Sequence, residues 1–224
     1  MRLAHGWELI QRPGFPAAWM REFVLPAMRA VPGSLAARLG SCRVTLLPTF
    51  DDPARTSEWT CTGSRLVIRV ASLGEGHDVA LEALTCLGQA LWERLSGAEE
   101  STYWRLLDAE ILAQVSGEID EQALDAKRLL LSDRRHAGDP QCLAQYGLAS
   151  FAATAAEYVH CFWHDVTIRT GEEYLPARQL RRRLELLAQW FPPDPGYTLF
   201  PAPSGSRYGA GAAASCAIGH RIRR

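Results

Sequence analysis

The chain has 224 residues, of which 47% are hydrophobic and 22% are charged, and its formal net charge at pH 7 is -1. This balance is typical of a folded globular chain and gives no indication of a nucleic acid or an anionic membrane as partner. The amino terminus lacks an apolar run of signal-peptide length, and no later segment approaches the roughly 20 apolar residues that span a bilayer, so we expect a cytoplasmic protein without membrane contact.

The first third of the chain predicts short helices followed by a small sheet. Apolar residues recur at helical spacing over 15–40, interrupted by two prolines, which predicts two short helices. The segment CRVTLLP (42–48) has the composition of a strand, and the alternation on both sides of Thr62-Gly63-Ser64 predicts a hairpin. We therefore expect a sheet of three or four strands over 42–71, mostly antiparallel or mixed.

Helical patterns occupy the rest of the chain. Over 78–95, apolar residues recur at intervals of three and four, which predicts one long, buried amphipathic helix. Further helices are predicted within 101–191, at about 101–115, 119–132, 143–164 and 176–191. The expected architecture is an α+β domain spanning 1–200, with the sheet packed on the central helix and an all-helical second half. The Gly-, Ala-, Ser- and Arg-rich segment 201–224 is predicted to be disordered.

Two segments resemble the metal-site helices of zincin metallopeptidases. Zincins of the gluzincin type, including the catalytic domain of anthrax lethal factor, often carry Leu-His-Glu-Leu-Gly-His-Ala-Leu on the central helix, and this chain has LTCLGQAL over 84–91. The segment ASFAATAAEYV (149–159) resembles the downstream zincin helix, whose first glutamate is the third zinc ligand. The order of the predicted elements is also similar, so the resemblance implies a zincin-like fold over about 20–200.

The residues that carry zincin chemistry are replaced in this chain. Two histidines at i and i+4 project toward one zinc from the same helix face, and the glutamate after the first histidine activates the metal-bound water. In this register Thr85 and Gln89 replace the histidines and Cys86 replaces the glutamate, while Ala149 and Ala153 replace the downstream glutamates. The resemblance therefore implies a catalytically inactive metallopeptidase-like protein without a metal or other cofactor.

The resemblance also implies that the substrate cleft is retained, although the catalytic residues are replaced. The resemblance places it between the helix at Thr85 to Gln89 and a strand at Arg65 to Val70, which we expect at the edge of the sheet. An exposed strand edge binds an extended peptide through main-chain hydrogen bonds, with or without a metal beneath it. A peptide or protein is therefore the expected partner.

Two rebuilt sites are alternatives that would make the chain a hydrolase. Glu157, His160 and His164 are spaced i, i+3 and i+7, close to one helix face, and a carboxylate with two imidazoles binds divalent metals. The same histidines are also compatible with ordinary hydrogen-bonded residues near a helix end. Cys86 is either a thiol nucleophile or a small apolar residue in a buried helix.

Other features have structural interpretations. His77 and Asp78 directly precede the apolar pattern of the central helix and are interpreted as its amino-terminal cap. The arginines at 178 and 181–183 form either a solvated helix face or a docking surface for an acidic partner or a nucleic acid. If the zincin resemblance is accidental, the chain is a helical interaction domain without a sheet beneath the 78–95 helix.

Overall fold

The computed structural model describes residues 1–3, 5–72, 74–132, 139–164 and 171–200. The prediction of a disordered 201–224 segment lies outside these residues. Among the helices of the described residues, none is both long enough and apolar enough to cross a membrane.

A four-stranded mixed sheet forms in the amino-terminal part of the chain. Its strands are β1 (Glu8–Gln11), β2 (Ser41–Leu47), β3 (Ser57–Thr62) and β4 (Arg65–Ala71). The order across the sheet is β1-β2-β4-β3, with β2 parallel to both β1 and β4, and β3 antiparallel to β4. Gly63, with φ of 60°, provides the left-handed backbone that the tight β3–β4 turn requires.

The predicted strands and hairpin are confirmed, and the pairing differs from the expectation in one respect. Two of the three strand pairings are parallel, so the sheet is mixed, which is one of the two arrangements expected. The strand predicted at the edge, Arg65 to Val70, is β4, which pairs on both sides, and the edge strands are β1 and β3. The second hairpin strand takes the interior position because alternate β4 side chains are fully buried, whereas β3 side chains are half-buried or exposed.

Helices make up most of the rest of the described chain, and their order follows the predicted patterns. In the amino-terminal part, α1 (Ala17–Trp19) continues through a π-helical turn (Met20–Val24) into α2 (Leu25–Arg29), and α3 (Gly33–Leu39) follows. The later helices are α4 (Gly76–Trp92), α5 (Gly97–Leu112), α6 (Glu121–Ser132), α7 (Pro140–His160) and α8 (Ala177–Trp190). The sheet contacts α4 through β3 and β4, so a purely helical domain is ruled out.

The central helix α4 is enclosed between the sheet and α7. Small residues along the contact allow α4 and α7 to approach closely. At Gly88, an added Cβ would lie 2.7 Å from the carbonyl oxygen of Ala152 and 2.8 Å from its Cα. This close crossing sets the relative positions of the two helices that carry the site described below.

Replacing Gly88 with alanine is expected to destabilise the protein by roughly 1–3 kcal/mol, as over-packing a tight core does. The clash is with the backbone of Ala152, which has no rotamer to relieve it. Gly97→Ala is the matched control, because a Cβ at that helical position meets nothing within 4 Å. Urea unfolding compares the two variants, and equal midpoints would contradict the close α4–α7 packing.

The helical second half is built around a buried ionic network. Arg183 of α8, fully buried, donates from Nη1 and Nη2 to Glu118 at 2.8 and 3.0 Å and from Nε to Glu110 at 3.2 Å. Lys127 of α6 donates to the Glu118 Oε1 atom at 3.1 Å, and the Tyr146 hydroxyl donates to the same atom at 2.6 Å. Two cations thus balance two carboxylates, and Arg183 is excluded from the basic surface considered from the sequence.

Acid is expected to destabilise the fold through Glu118. Burial alone raises the pKa of this carboxyl group, but Arg183, Lys127 and Tyr146 outweigh burial and lower the pKa from 4.5 to about 2. A carboxyl group with a lowered folded-state pKa contributes stability above its unfolded pKa and loses that contribution as the pH falls toward its folded pKa. The free energy of unfolding should therefore decline between pH 4.5 and about 2. Urea titrations across this range should show a shallower decline for Glu118→Gln than for the unmodified protein.

Candidate metal centre

The amino-terminal end of α4 is held by two local features. A capping box joins Glu75 and Asp78, whose carboxylate accepts the Glu75 N–H at 3.3 Å. Gly76 packs so closely against the amino-terminal helices that a Cβ would lie 2.6 Å from the ring of Phe23. His77 is thus in the first turn of α4, and the cap is provided by Glu75 with Asp78, not by His77 as the sequence suggested.

Three histidine rings meet where α4 begins and α7 ends. His160 is the last residue of α7, and His164 lies just after it. The Nε2 atoms of His77 and His160 are 3.0 Å apart, and one ring nitrogen from each of the three histidines lies within 4.8 Å of the other two. The rings of His160 and His164 stack with their centroids 5.3 Å apart. Three imidazoles at this spacing are a ligand set for zinc, copper, nickel or iron.

Carboxylates face the outer nitrogens of two of these rings. The Glu157 Oε2 atom lies 3.3 Å from His160 Nδ1, and the Asp78 Oδ1 atom lies 4.0 Å from His77 Nδ1. In both rings Nδ1 therefore faces a carboxylate while Nε2 faces the other histidine. At His160 this is the arrangement in which a metal-binding histidine donates its second N–H to a carboxylate, whereas the 4.0 Å separation at His77 is too long for a hydrogen bond.

The electrostatic environment favours neutral histidine at His77. Burial lowers its pKa below 6.5, and the neighbouring His160 and His164 lower it further. Neutral imidazole is the form that binds a metal. The position of His77 therefore favours the form that binds a cation.

The geometry fits a tetrahedral zinc ion. Zinc–nitrogen bonds of about 2.0–2.1 Å place tetrahedral ligand nitrogens roughly 3.3 Å apart. The His77–His160 separation of 3.0 Å is close to this value. A ring nitrogen of the exposed His164 lies within 4.8 Å of a ring nitrogen of each of the other two histidines.

A pocket of about 600 Å³ adjoins the histidine cluster. All three histidines are in its wall, together with apolar side chains such as Leu81 and Leu175. Glu82, Asp120 and Glu121 are among the carboxylates that line it. Pockets of about 300–1,000 Å³ accommodate small-molecule ligands, so a ligand here would lie beside the metal-binding nitrogens.

The residues in the zincin register do not form a metal site. Thr85 and Ala153 line the pocket, but the Thr85 hydroxyl donates to the Leu81 carbonyl at 3.0 Å. The Gln89 Oε1 atom accepts the indole N–H of Trp59 at 2.9 Å, and Ala149 is buried. An alanine offers no ligand, and Thr85 and Gln89 bind zinc weakly, so a zinc ion does not fit at these positions.

Cys86 occupies a buried position without access to the pocket wall. It is 2% exposed, and burial raises its pKa to about 12. A thiol needs to be deprotonated to act as a nucleophile, and at this pKa it stays protonated at neutral pH. Its position in α4 agrees with the interpretation of Cys86 as a small apolar residue.

The structure changes the set of metal ligands predicted from the sequence in two ways. It adds His77 and it places Glu157 outside the group. His77 completes the cluster, although 83 residues separate it from His160. Glu157 contacts the back of His160 and is not in the group whose donor atoms meet within 4.8 Å. Spacing along one helix identified His160 and His164, whereas only the α4–α7 packing brings His77 to them.

A scan against protein-family models found no match for the chain. A search of the curated proteins also found none.

Proposed function

We propose that this protein is a metal-dependent hydrolase, with zinc as the best-fitting metal, bound by His77, His160 and His164. The observation that carries the proposal is the convergence of three imidazole nitrogens within 4.8 Å in the wall of a pocket. Imidazole is a ligand shared by several transition metals, and zinc is the one that most commonly takes three histidines and one open position.

The number of protein ligands distinguishes a catalytic from a structural site. Structural zinc sites are closed by four protein ligands, whereas catalytic sites keep one position for water or substrate. Among the described residues, three histidines form the cluster, and the pocket lies next to them. A bound zinc ion supplies a water of lowered pKa and polarises a carbonyl or phosphoryl oxygen. The side chains of this chain hold the metal and enclose the substrate.

Metal content is the first test of this proposal. The full chain, untagged and purified from zinc-supplemented medium, is expected to hold about one equivalent of zinc after gel filtration. The single variants His77→Ala, His160→Ala and His164→Ala should each lose it. His5→Ala is a matched control, because His5 is a histidine whose ring contacts Trp7 and not the cluster.

The fluorescence of Trp163 gives an independent measurement of metal binding. The ring centroid of this residue lies 5.8 Å from that of His77 and 5.4 Å from those of His160 and His164. Copper(II) or nickel(II) bound at the cluster should quench the fluorescence of this indole, and Trp163→Phe should remove that component. Less than about a tenth of an equivalent of metal, together with no saturable quenching, would contradict the proposed centre.

A second candidate function is ligand binding by an inactive zincin-like cleft. Its support is that β3 is an antiparallel edge strand beside α4, with Trp59 of β3 joined to Gln89 in the LTCLGQAL segment. An extended peptide would pair with β3 by strand addition. This candidate predicts peptide binding that survives removal of all metal by 1,10-phenanthroline, whereas the hydrolase loses turnover under the same treatment.

A further inference from the structure

Glu157 lies one helical turn before His160, and the two side chains contact each other near the carboxyl end of α7. The Glu157 side chain is 17% exposed and that of His160 is 8% exposed, so neither interacts mainly with water. Their contact joins Glu157 Oε2 to His160 Nδ1 at 3.3 Å. At the opposite side of the same ring, Nε2 lies 3.0 Å from His77 Nε2.

This geometry assigns different roles to the two ring nitrogens. A neutral imidazole has one N–H donor and one acceptor lone pair, and a carboxylate without its proton only accepts. A carboxylate at Nδ1 therefore holds the hydrogen on Nδ1 and leaves the lone pair on Nε2, so in the metal-free chain the Nε2–H of His77 donates to His160 Nε2. The Nε2 lone pair is then directed at the other histidines, where a metal would bind.

We infer that Glu157 is a positioning residue of the metal centre and not one of its ligands. The inference rests on the proposed metal site and replaces the ligand set of Glu157, His160 and His164 that the helix spacing suggested. Glu157 fixes the orientation and tautomer of His160, and the third ligand is His77. Among the described residues no carboxylate joins the three histidines within 4.8 Å, so a fourth position would be available to water or substrate from the pocket.

The test compares Glu157→Gln and Glu157→Ala in the full chain, with Glu121→Gln as the control. Glu121 also lines the pocket, and it is not among the hydrogen-bond and ion-pair partners of His77 and His160 in the described part of the chain. We expect Glu157→Ala to weaken zinc affinity by about 10- to 100-fold, as loss of a carboxylate behind a metal-binding histidine does. Glu157→Gln should weaken it less, because its amide oxygen still accepts the Nδ1–H, and Glu121→Gln should leave it unchanged.

Spectroscopy separates a positioning role from general damage to the fold. X-ray absorption of the zinc-loaded protein should count three imidazoles in the unmodified chain and in both Glu157 variants. Nitrogen-15 NMR should place the hydrogen of His160 on Nδ1 in the unmodified chain, with a mixture of tautomers in metal-free Glu157→Ala.

Two results would overturn the inference while leaving the metal centre in place. One is a count of two imidazoles and a carboxylate oxygen in the zinc-loaded chain, which would make Glu157 a ligand. The other is an affinity and a His160 tautomer unaffected by Glu157→Ala, which would make Glu157 irrelevant to the site. Absence of zinc binding by the unmodified chain would overturn the proposed function and the inference together, so the failures are distinguishable.

Discussion

Removing the imidazole of His77 is expected to abolish the stabilisation of this protein by zinc. A ligand that binds only the folded state at 100 times its dissociation constant stabilises that state by about 2.7 kcal/mol. For a chain of this size, this gain corresponds to a rise in Tm of roughly 5–11 °C. His77→Ala leaves two histidines of the cluster, and losing a direct ligand should weaken affinity by more than about 100-fold, the upper end for loss of a partner behind the ligand.

The measurement is a pair of thermal scans for each variant, one with zinc and one with a chelator. The zinc-dependent difference in Tm is the quantity to compare, because it cancels any effect of the substitution on the metal-free fold. The unmodified chain and His5→Ala should show the full difference, whereas His77→Ala should show almost none. A full zinc-dependent rise in His77→Ala would place the metal elsewhere and reject the three-histidine centre.

The fold was predictable where local pattern and burial agree. The apolar periodicity of α4 and the alternation around Gly63 each reflect contacts that the element makes along its own length. The strand order was not predictable in the same way, because it depends on which of the two hairpin strands pairs with β2. The short β1 (Glu8–Gln11) was missed because four residues carry too little alternation, and its pairing with β2 is what makes it a strand.

Two of the three histidines of the candidate site were predictable from the sequence. His160 and His164 were identified because both belong to one helical pattern, whose spacing brings residues i and i+4 together. His77 follows a glycine at the start of a different helix, and a histidine there is equally compatible with a simple cap. Its role depends on the close α4–α7 crossing at Gly88, which allows the end of α7 to reach the start of α4.

Replacing Arg183 with methionine is expected to cost roughly 3–5 kcal/mol of folding free energy, as breaking a buried ion pair from one side does. The guanidinium group is fully buried and donates to Glu110 and Glu118. Methionine fills much of the volume but leaves two carboxylates in the interior with Lys127 as their remaining cation. The cost comes mainly from the uncompensated negative charge, since the volume is nearly retained.

Two further variants test that explanation against simple loss of packing. Arg182→Met changes the exposed neighbour on the same helix and should alter the free energy of unfolding by no more than about 0.5 kcal/mol. In Arg183→Met with Glu110→Gln, one of the stranded charges is neutralised, so the double variant should be more stable than Arg183→Met alone. Urea denaturation at pH 7 measures all of them. If the double variant is less stable than the single, charge imbalance is not the cause. If it recovers stability, the negative charge left unpaired beside Lys127 is the main cost of removing the Arg183 guanidinium group.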